Sequence, residues 1–159
     1  MIYAIKKAKE LGVDTILNPA PAADIDESIF PFIDYFTPNE TEASFYVNHP
    51  VETHDDASKA AKTLLDMGIK NVIITLGEKG AYFANANETF SSPIANLSNP
   101  VVDTTGAGDA FNAGFAAALT EDQNIKDAIS FASATAGLST TKIGTANSMP
   151  SREEIDKIL

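Results

Sequence analysis

The sequence predicts an α/β fold of three layers, α/β/α, with helices on both faces of a mainly parallel sheet. Three observations lead there. Short apolar runs rich in β-branched residues alternate with stretches of helical periodicity, so consecutive strands need crossover helices between them. No internal repeat, low-complexity tract or linker breaks that order, and 159 residues suit one domain, 1–159, able to bury roughly 70% of its unfolded surface. Hydrophobic residues make up 44% of the chain, an ordinary share for a globular protein.

Met1 to Leu11 is expected as an uncapped helix, with Ile2, Ile5 and Ala8 at helical spacing and Gly12 as its stop. Thr15-Ile16-Leu17 forms a short buried strand. The loop from Asn18 to Ala22 follows at its carboxyl end, the ligand side of an α/β sheet, and Pro19 and Pro21 keep that loop extended. Asp24 to Phe30 gives one or two helical turns with acids at the front, and Ile33 to Thr37 the next strand. Asn39 and Glu42 then open a helix carrying Ala43, Phe45 and Tyr46. Asn at the cap with Glu three residues on is a capping-box variant.

From Thr53 to Gly68 the pattern is cleanest: Ala57, Ala60, Ala61, Leu64 and Leu65 form one stripe, behind a first turn holding Asp55 and Asp56. Asn71 to Leu76 is a buried, parallel strand. Gly77 to Gly80 turns the chain into an antiparallel return strand, Ala81 to Ala84, where Thr75 and Gly77 read plainly as a strand end and a turn glycine. A short strand at Thr89-Phe90 and an irregular connection from Pro93 to Pro100 come next. Two helices follow, one from Gly108 presenting Phe111, Gly114, Phe115, Ala118 and Leu119, the other running from Ile125 to about Thr140. Ser151 with Glu154 is a capping box for a final helix.

Bulk properties exclude several functions. A formal charge of −11 disfavours nucleic acid or an anionic membrane as partner. With no cysteine there is neither a disulfide framework nor a thiolate metal site, and His49 and His54 lack the spacing of a metal pair on one helix face. No apolar run approaches a membrane span of ~20 residues, and the N-terminus lacks a signal-peptide layout, so a cytoplasmic protein is expected.

The stretch with chemistry in it is Val101-Val102-Asp103-Thr104-Thr105-Gly106-Ala107-Gly108-Asp109-Ala110-Phe111. Backbone at Gly106, Ala107 and Gly108 lets a ligand approach closely. If Asp109 opens the helix, spare N–H groups and the positive dipole end face the turn, a site for an anion such as phosphate. A carboxylate beside a phosphate is costly unless it accepts a proton from an attacking hydroxyl; the plain alternative is that Asp109 is a first-turn helix acid. Phe111 stands where a dinucleotide fingerprint needs its third glycine, and no Walker-type loop occurs. Asp103 and Thr105 are candidates for hydrogen bonds to the turn's own backbone.

Asp103-Thr104-Thr105-Gly106-Ala107-Gly108-Asp109-Ala110-Phe111 resembles the C-terminal signature of the ribokinase family of sugar and nucleoside kinases, the PfkB group. Asn18 to Ala22, Thr37 to Ala43, Thr75 to Ala81 and Ser148-Met149-Pro150 resemble other segments of that family, in the same order and over nearly the whole chain. The resemblance implies ATP-dependent phosphorylation of a sugar hydroxyl, D-ribose first, with ATP and ADP as nucleotide partners. Asp109 would take the hydroxyl proton, and the amides of Gly106, Ala107 and Gly108 would hold the developing charge. Asn39 and Glu42 would hold Mg²⁺ beside the phosphates, largely through water, with Thr75 and Gly77 near the ribose and phosphates.

The resemblance further implies a monovalent cation, K⁺, at Asp103 and Thr105, met by the carbonyls of Ser139, Lys142 and Gly144 and the Ser148 side chain. It also implies that only the C-terminal half of such a kinase is represented. The sugar-binding half, the lid and the usual homodimer contact would lie elsewhere, leaving this chain incompetent alone and with an apolar patch exposed. A non-catalytic nucleotide-binding module or a truncated fragment is the opposing expectation. Fructokinases, adenosine kinases and vitamin-precursor kinases share the Gly-Ala-Gly-Asp element, which therefore does not choose among substrates.

Overall fold

The computed structural model describes residues 1–159, which gather into two compact units: 1–77 with 81–91, and 78–80 with 92–159. The first unit carries α1 (Ile2–Glu10), β1 (Ile16–Leu17), β2 (Tyr35–Phe36), α2 (Glu40–Val47), α3 (His54–Asp66), β3 (Asn71–Thr75) and β4 (Ala81–Asn85), and β5 (Thr89–Ser92) completes the sheet. The strand order is β1-β2-β3-β4-β5. β1, β2 and β3 pair in parallel, Ile16 opposite Tyr35 and Phe36 opposite Val72, and β4 returns antiparallel with Ile73 opposite Phe83. The α/β class is therefore as expected, with a mixed sheet.

Both β1 and β2 are shorter than the apolar runs suggest, for a local reason. Asp34 accepts the Thr15 N–H at 3.0 Å, and the Thr15 hydroxyl accepts the Asp34 N–H at 3.0 Å. These side-chain bonds occupy the strand starts, so β1 begins one residue after Thr15 and β2 two residues after Ile33, ending one short of Thr37. The buried Asp34 is also ion-paired with Lys9 and Lys70. The helical turns expected from Asp24 form later, as a 3₁₀ segment at Glu27–Phe32, because Asp26 caps it by accepting the Ser28 N–H at 3.0 Å.

The periodic stripe of α3 is the best-buried helix face of this unit: Ala57, Ala60, Ala61 and Leu64 are inaccessible to solvent. They pack in one core with Phe30, Ile33, Phe36, Val72 and Ile74. Three consecutive buried residues, Val72, Ile73 and Ile74, mark β3 as a strand covered on both faces. By contrast α1 buries only Ile5, and Tyr3, Leu11 and Val13 are exposed.

The second unit holds α4 (Ala107–Thr120), α5 (Ile125–Ser139) and α6 (Arg152–Asp156). α4 and α5 pack closely because Gly114 faces Thr135 and Ala132: a Cβ at Gly114 would lie 2.6 Å from the Thr135 hydroxyl. Asn124 caps α5 by accepting from Lys126 and Asp127, and Ser151 with Glu154 forms the expected capping box of α6. Arg152 ties α6 back to Glu121 and lies over the Phe131 ring, 4.8 Å from its centroid.

Candidate active site

The glycine turn is built from one backbone choice. Gly106 sits in the left-handed region, φ +79°, and is the N-cap of α4. The helix therefore starts at Ala107, one residue before the expected start at Gly108 and two before Asp109. Asp109 is its third residue, still within the turn where an acid meets the positive end of the dipole.

Of the three amides expected to receive an anion, one is engaged. The Ala107 N–H donates to the Thr104 carbonyl at 3.2 Å. Those of Gly106, Gly108 and, beyond the expected set, Asp109 have no acceptor in the chain. Gly108 and Asp109 are exposed, and the Asp109 carboxylate makes no hydrogen bond or ion pair. Free donors at a helix start, with a carboxylate one step away, can hold an anion and accept a proton from a hydroxyl brought to it.

Behind the turn, Asp103 spans two loops. Its Oδ1 accepts the Thr105 N–H at 2.9 Å and its Oδ2 the Gly144 N–H at 3.0 Å. The Gly144 amide is the larger influence and Thr105 the second; together they hold the carboxyl at about 2, below its ordinary 3.8. Val102 and Asp103 also donate their N–H groups to the Thr140 carbonyl, at 2.8 and 3.1 Å. The backbone-bonding role of Asp103 is thus present, and it draws Thr105 and Gly144 together.

The other expected cation residues lie along the same loop. Ser148 is fully buried and donates its hydroxyl to the Thr145 carbonyl at 2.6 Å. Ser139 is buried, its carbonyl accepting the Lys142 N–H at 3.4 Å, while the Lys142 ammonium pairs with Glu154 at 3.0 Å. The carbonyls of Lys142 and Gly144 accept no hydrogen bond. A residue the sequence did not single out, Thr145, packs over the turn: a Cβ at Gly106 would meet its Cγ2 at 3.0 Å. No motif pointed to it.

In the first unit the four remaining residues come together at the carboxyl ends of β2 and β3. Asn39 and Thr75 form a parallel bridge, and Thr75 donates its N–H to the Pro38 carbonyl at 3.0 Å. The capping box is complete: Asn39 Oδ1 accepts the Glu42 N–H and Glu42 Oε2 accepts the Asn39 N–H, both at 2.8 Å. Glu42 is buried, and its Oε1 has no partner in the chain. Gly77, φ +53°, comes within 3.5 Å of a Glu40 carboxylate oxygen, measured from where a Cβ would stand.

One spare carboxylate oxygen cannot coordinate Mg²⁺ alone. No group of three or more His, Cys, Asp or Glu residues is placed to ligate a metal. The donors present fit a cation that keeps most of its water, as Mg²⁺ does. A buried amide oxygen without any partner, Asn18 Oδ1, lies on the neighbouring strand end.

This is an α/β protein in which one unit ends its parallel strands in an Asn39–Glu42 capping box, and the other opens a helix with a left-handed glycine and spare amides able to receive an anion. Residues 1–152 match the pfkB family carbohydrate kinases, and the chain belongs to that family. It is 42% identical over 151 residues to a ribokinase of Haemophilus influenzae, covering 95% of this chain and 49% of that protein. It is 38% identical over 158 residues to a deoxyribokinase of Salmonella typhimurium, covering 99% of this chain and 51% of the relative. The structure of Arabidopsis thaliana ribokinase complexed with ribose and ATP superposes with a TM-score of 0.93 at 35% identity, over 99% of this chain and 51% of that one. The chain thus spans about half the length of the relatives it matches.

Proposed function

We propose that these residues serve ATP-dependent phosphorylation of a sugar hydroxyl, D-ribose to ribose 5-phosphate. The carrying observation is the pair of spare amides at Gly106 and Gly108 beside the unengaged carboxylate of Asp109. Family membership and the likeness to a ribokinase solved with ribose and ATP support it. Asp109 accepts the proton of the attacking hydroxyl as its oxygen bonds to the γ-phosphorus and the bond from that phosphorus to the ADP oxygen breaks. The Gly106 and Gly108 amides, joined by that of Asp109, stabilise the charge on the transferring group; Ala107 contributes by shaping the turn, since its own amide is spent on Thr104.

Asn39 and Glu42 hold the cation-bound end of the nucleotide through water, and Thr75 and Gly77 border its ribose and phosphates. Mg²⁺, when bound, neutralises phosphate charge. A monovalent cation, K⁺, is taken by the free carbonyls of Lys142 and Gly144 with Ser139 and Ser148, where Asp103 and Thr105 fix the loop. The sugar is gripped by residues outside this chain, so the chain alone does not turn over. A clean ribose-dependent release of ADP by it contradicts that.

The test of the base is Asp109→Asn in a protein that joins these residues to a sugar-binding half. Transfer falls by roughly 10²–10⁴, the range for losing a general base, while nucleotide affinity is kept. Turnover within tenfold of the parent removes Asp109 from the role.

A further inference from the structure

Asn18 is the residue the proposed chemistry has not used. Its Oδ1 is buried and unpartnered, and the side chain makes no hydrogen bond anywhere in the chain. A buried amide left without partners is costly, so a native fold keeps one where something outside the chain completes it. No bond is made at either amide atom, so the buried end is unpartnered whichever way the amide is turned, and the oxygen is taken as that end.

Its place follows from the register. Leu17 lies opposite Phe36, and the Thr37 N–H donates to the Leu17 carbonyl at 3.0 Å, so the next step of the ladder sets Asn18 opposite Thr37. Register partners in a parallel pair share a face, as do residues two apart on one strand. Asn39 has extended backbone, φ −83° and ψ −177°, and bridges Thr75. Asn18, Thr37, Asn39 and Thr75 therefore form a row on one face at the carboxyl end of the parallel strands. One strand and two residues separate Asn18 from Asn39, putting their Cα atoms roughly 8 Å apart. A divalent cation with its waters spans such a gap, at ~2.1 Å to each water and ~2.8 Å from water to acceptor.

We infer that Asn18 is a positioning residue whose amide oxygen accepts a hydrogen bond from a water on the divalent cation of a bound nucleotide, opposite the Asn39–Glu42 pair. The inference rests on the nucleotide-binding role proposed above. It assigns the Asn-Pro-Ala-Pro loop to the metal and away from the sugar.

Calorimetric titration of the chain with ADP, with and without Mg²⁺, tests it on the parent, Asn18→Leu and Asn18→Asp. Asn18→Leu, close in volume, weakens the Mg²⁺-dependent part of binding about fivefold, as expected for one hydrogen bond. It leaves metal-free ADP binding and the melting temperature unchanged, because the amide holds nothing in the protein. Asn18→Asp keeps an acceptor and restores or strengthens the Mg²⁺ dependence. Parent-like Mg²⁺ dependence in Asn18→Leu overturns the assignment and leaves nucleotide binding intact. A lowered melting temperature in both variants, with no change in Mg²⁺ dependence, makes Asn18 structural and also overturns it. A parent that binds ADP with no response to Mg²⁺, or does not bind it, overturns the nucleotide role and this assignment with it.

Discussion

Replacing Gly106 by alanine sets three effects against one another at the turn. Left-handed backbone at φ +79° costs an L-residue about 1–2 kcal/mol. The added Cβ would lie 3.0 Å from Thr145 Cγ2 and 3.3 Å from its Cβ, so Thr145 must give by a few tenths of an ångström, at about 1 kcal/mol. Against these, alanine stiffens the unfolded chain and stabilises by roughly 0.4–1 kcal/mol. The net is a loss of about 1–2.5 kcal/mol, or roughly 3–8 °C in melting temperature for a chain of this size.

Calorimetry on Gly106→Ala, Thr145→Ser and the double variant separates the parts. Thr145→Ser removes Cγ2, so in the double variant it recovers the contact share of up to ~1 kcal/mol and no more. The conformational share persists. Full recovery in the double variant, or a Gly106→Ala protein as stable as the parent, would refute the claim that a left-handed residue shapes this turn.

Two further outcomes follow from the same geometry. Gly114→Ala and Gly137→Ala each gain about 1 kcal/mol of helix propensity, yet their signs differ in urea unfolding. At Gly114 the new Cβ lies 2.6 Å from the Thr135 hydroxyl and 3.1 Å from Ala132 Cα, so the chain loses stability; at Gly137 it meets only Leu97 methyl and Cγ atoms at 3.3 Å or more, so stability holds or rises. Equal signs contradict the packing described. The Asp103 carboxyl is lowered by the Gly144 and Thr105 amides from 3.8 to about 2. A group depressed in the folded state contributes stability in full above its unfolded value near 4 and loses it as pH falls through about 2. The Gly144 amide shift followed by NMR should titrate near pH 2, and a midpoint near 4 dissolves the clamp.

Much of the fold was legible because local signals agreed. The alanine–leucine stripe of α3, the continuous Val72-Ile73-Ile74 run and the capping boxes at Asn39 and Ser151 each need only neighbours in sequence, and each formed. The start of α4 at Ala107 is less legible because it depends on a positive φ at Gly106, which composition permits and does not require. Strands β1 and β2 fall inside the apolar runs expected to form them, but they are shorter because a Thr15–Asp34 exchange, 19 residues apart, occupies their starts. The bond from Asp103 to Thr105 is local and legible, whereas its bond to the Gly144 amide reaches 41 positions along the chain. The Asn18–Ala22 loop is marked by its prolines and its place at a strand end, but the unpartnered Asn18 amide and Thr145 over the turn follow from tertiary packing alone.

The most direct measurement is an amide NMR titration of the chain with a non-hydrolysable ATP analogue and Mg²⁺. The Gly106, Gly108 and Asp109 N–H resonances, which donate to nothing in the protein, should shift saturably, while Ala107, held by Thr104, moves least. Binding that leaves those three resonances in place, or that shifts Ala107 the most, would contradict a phosphate-receiving turn at residues 106–109.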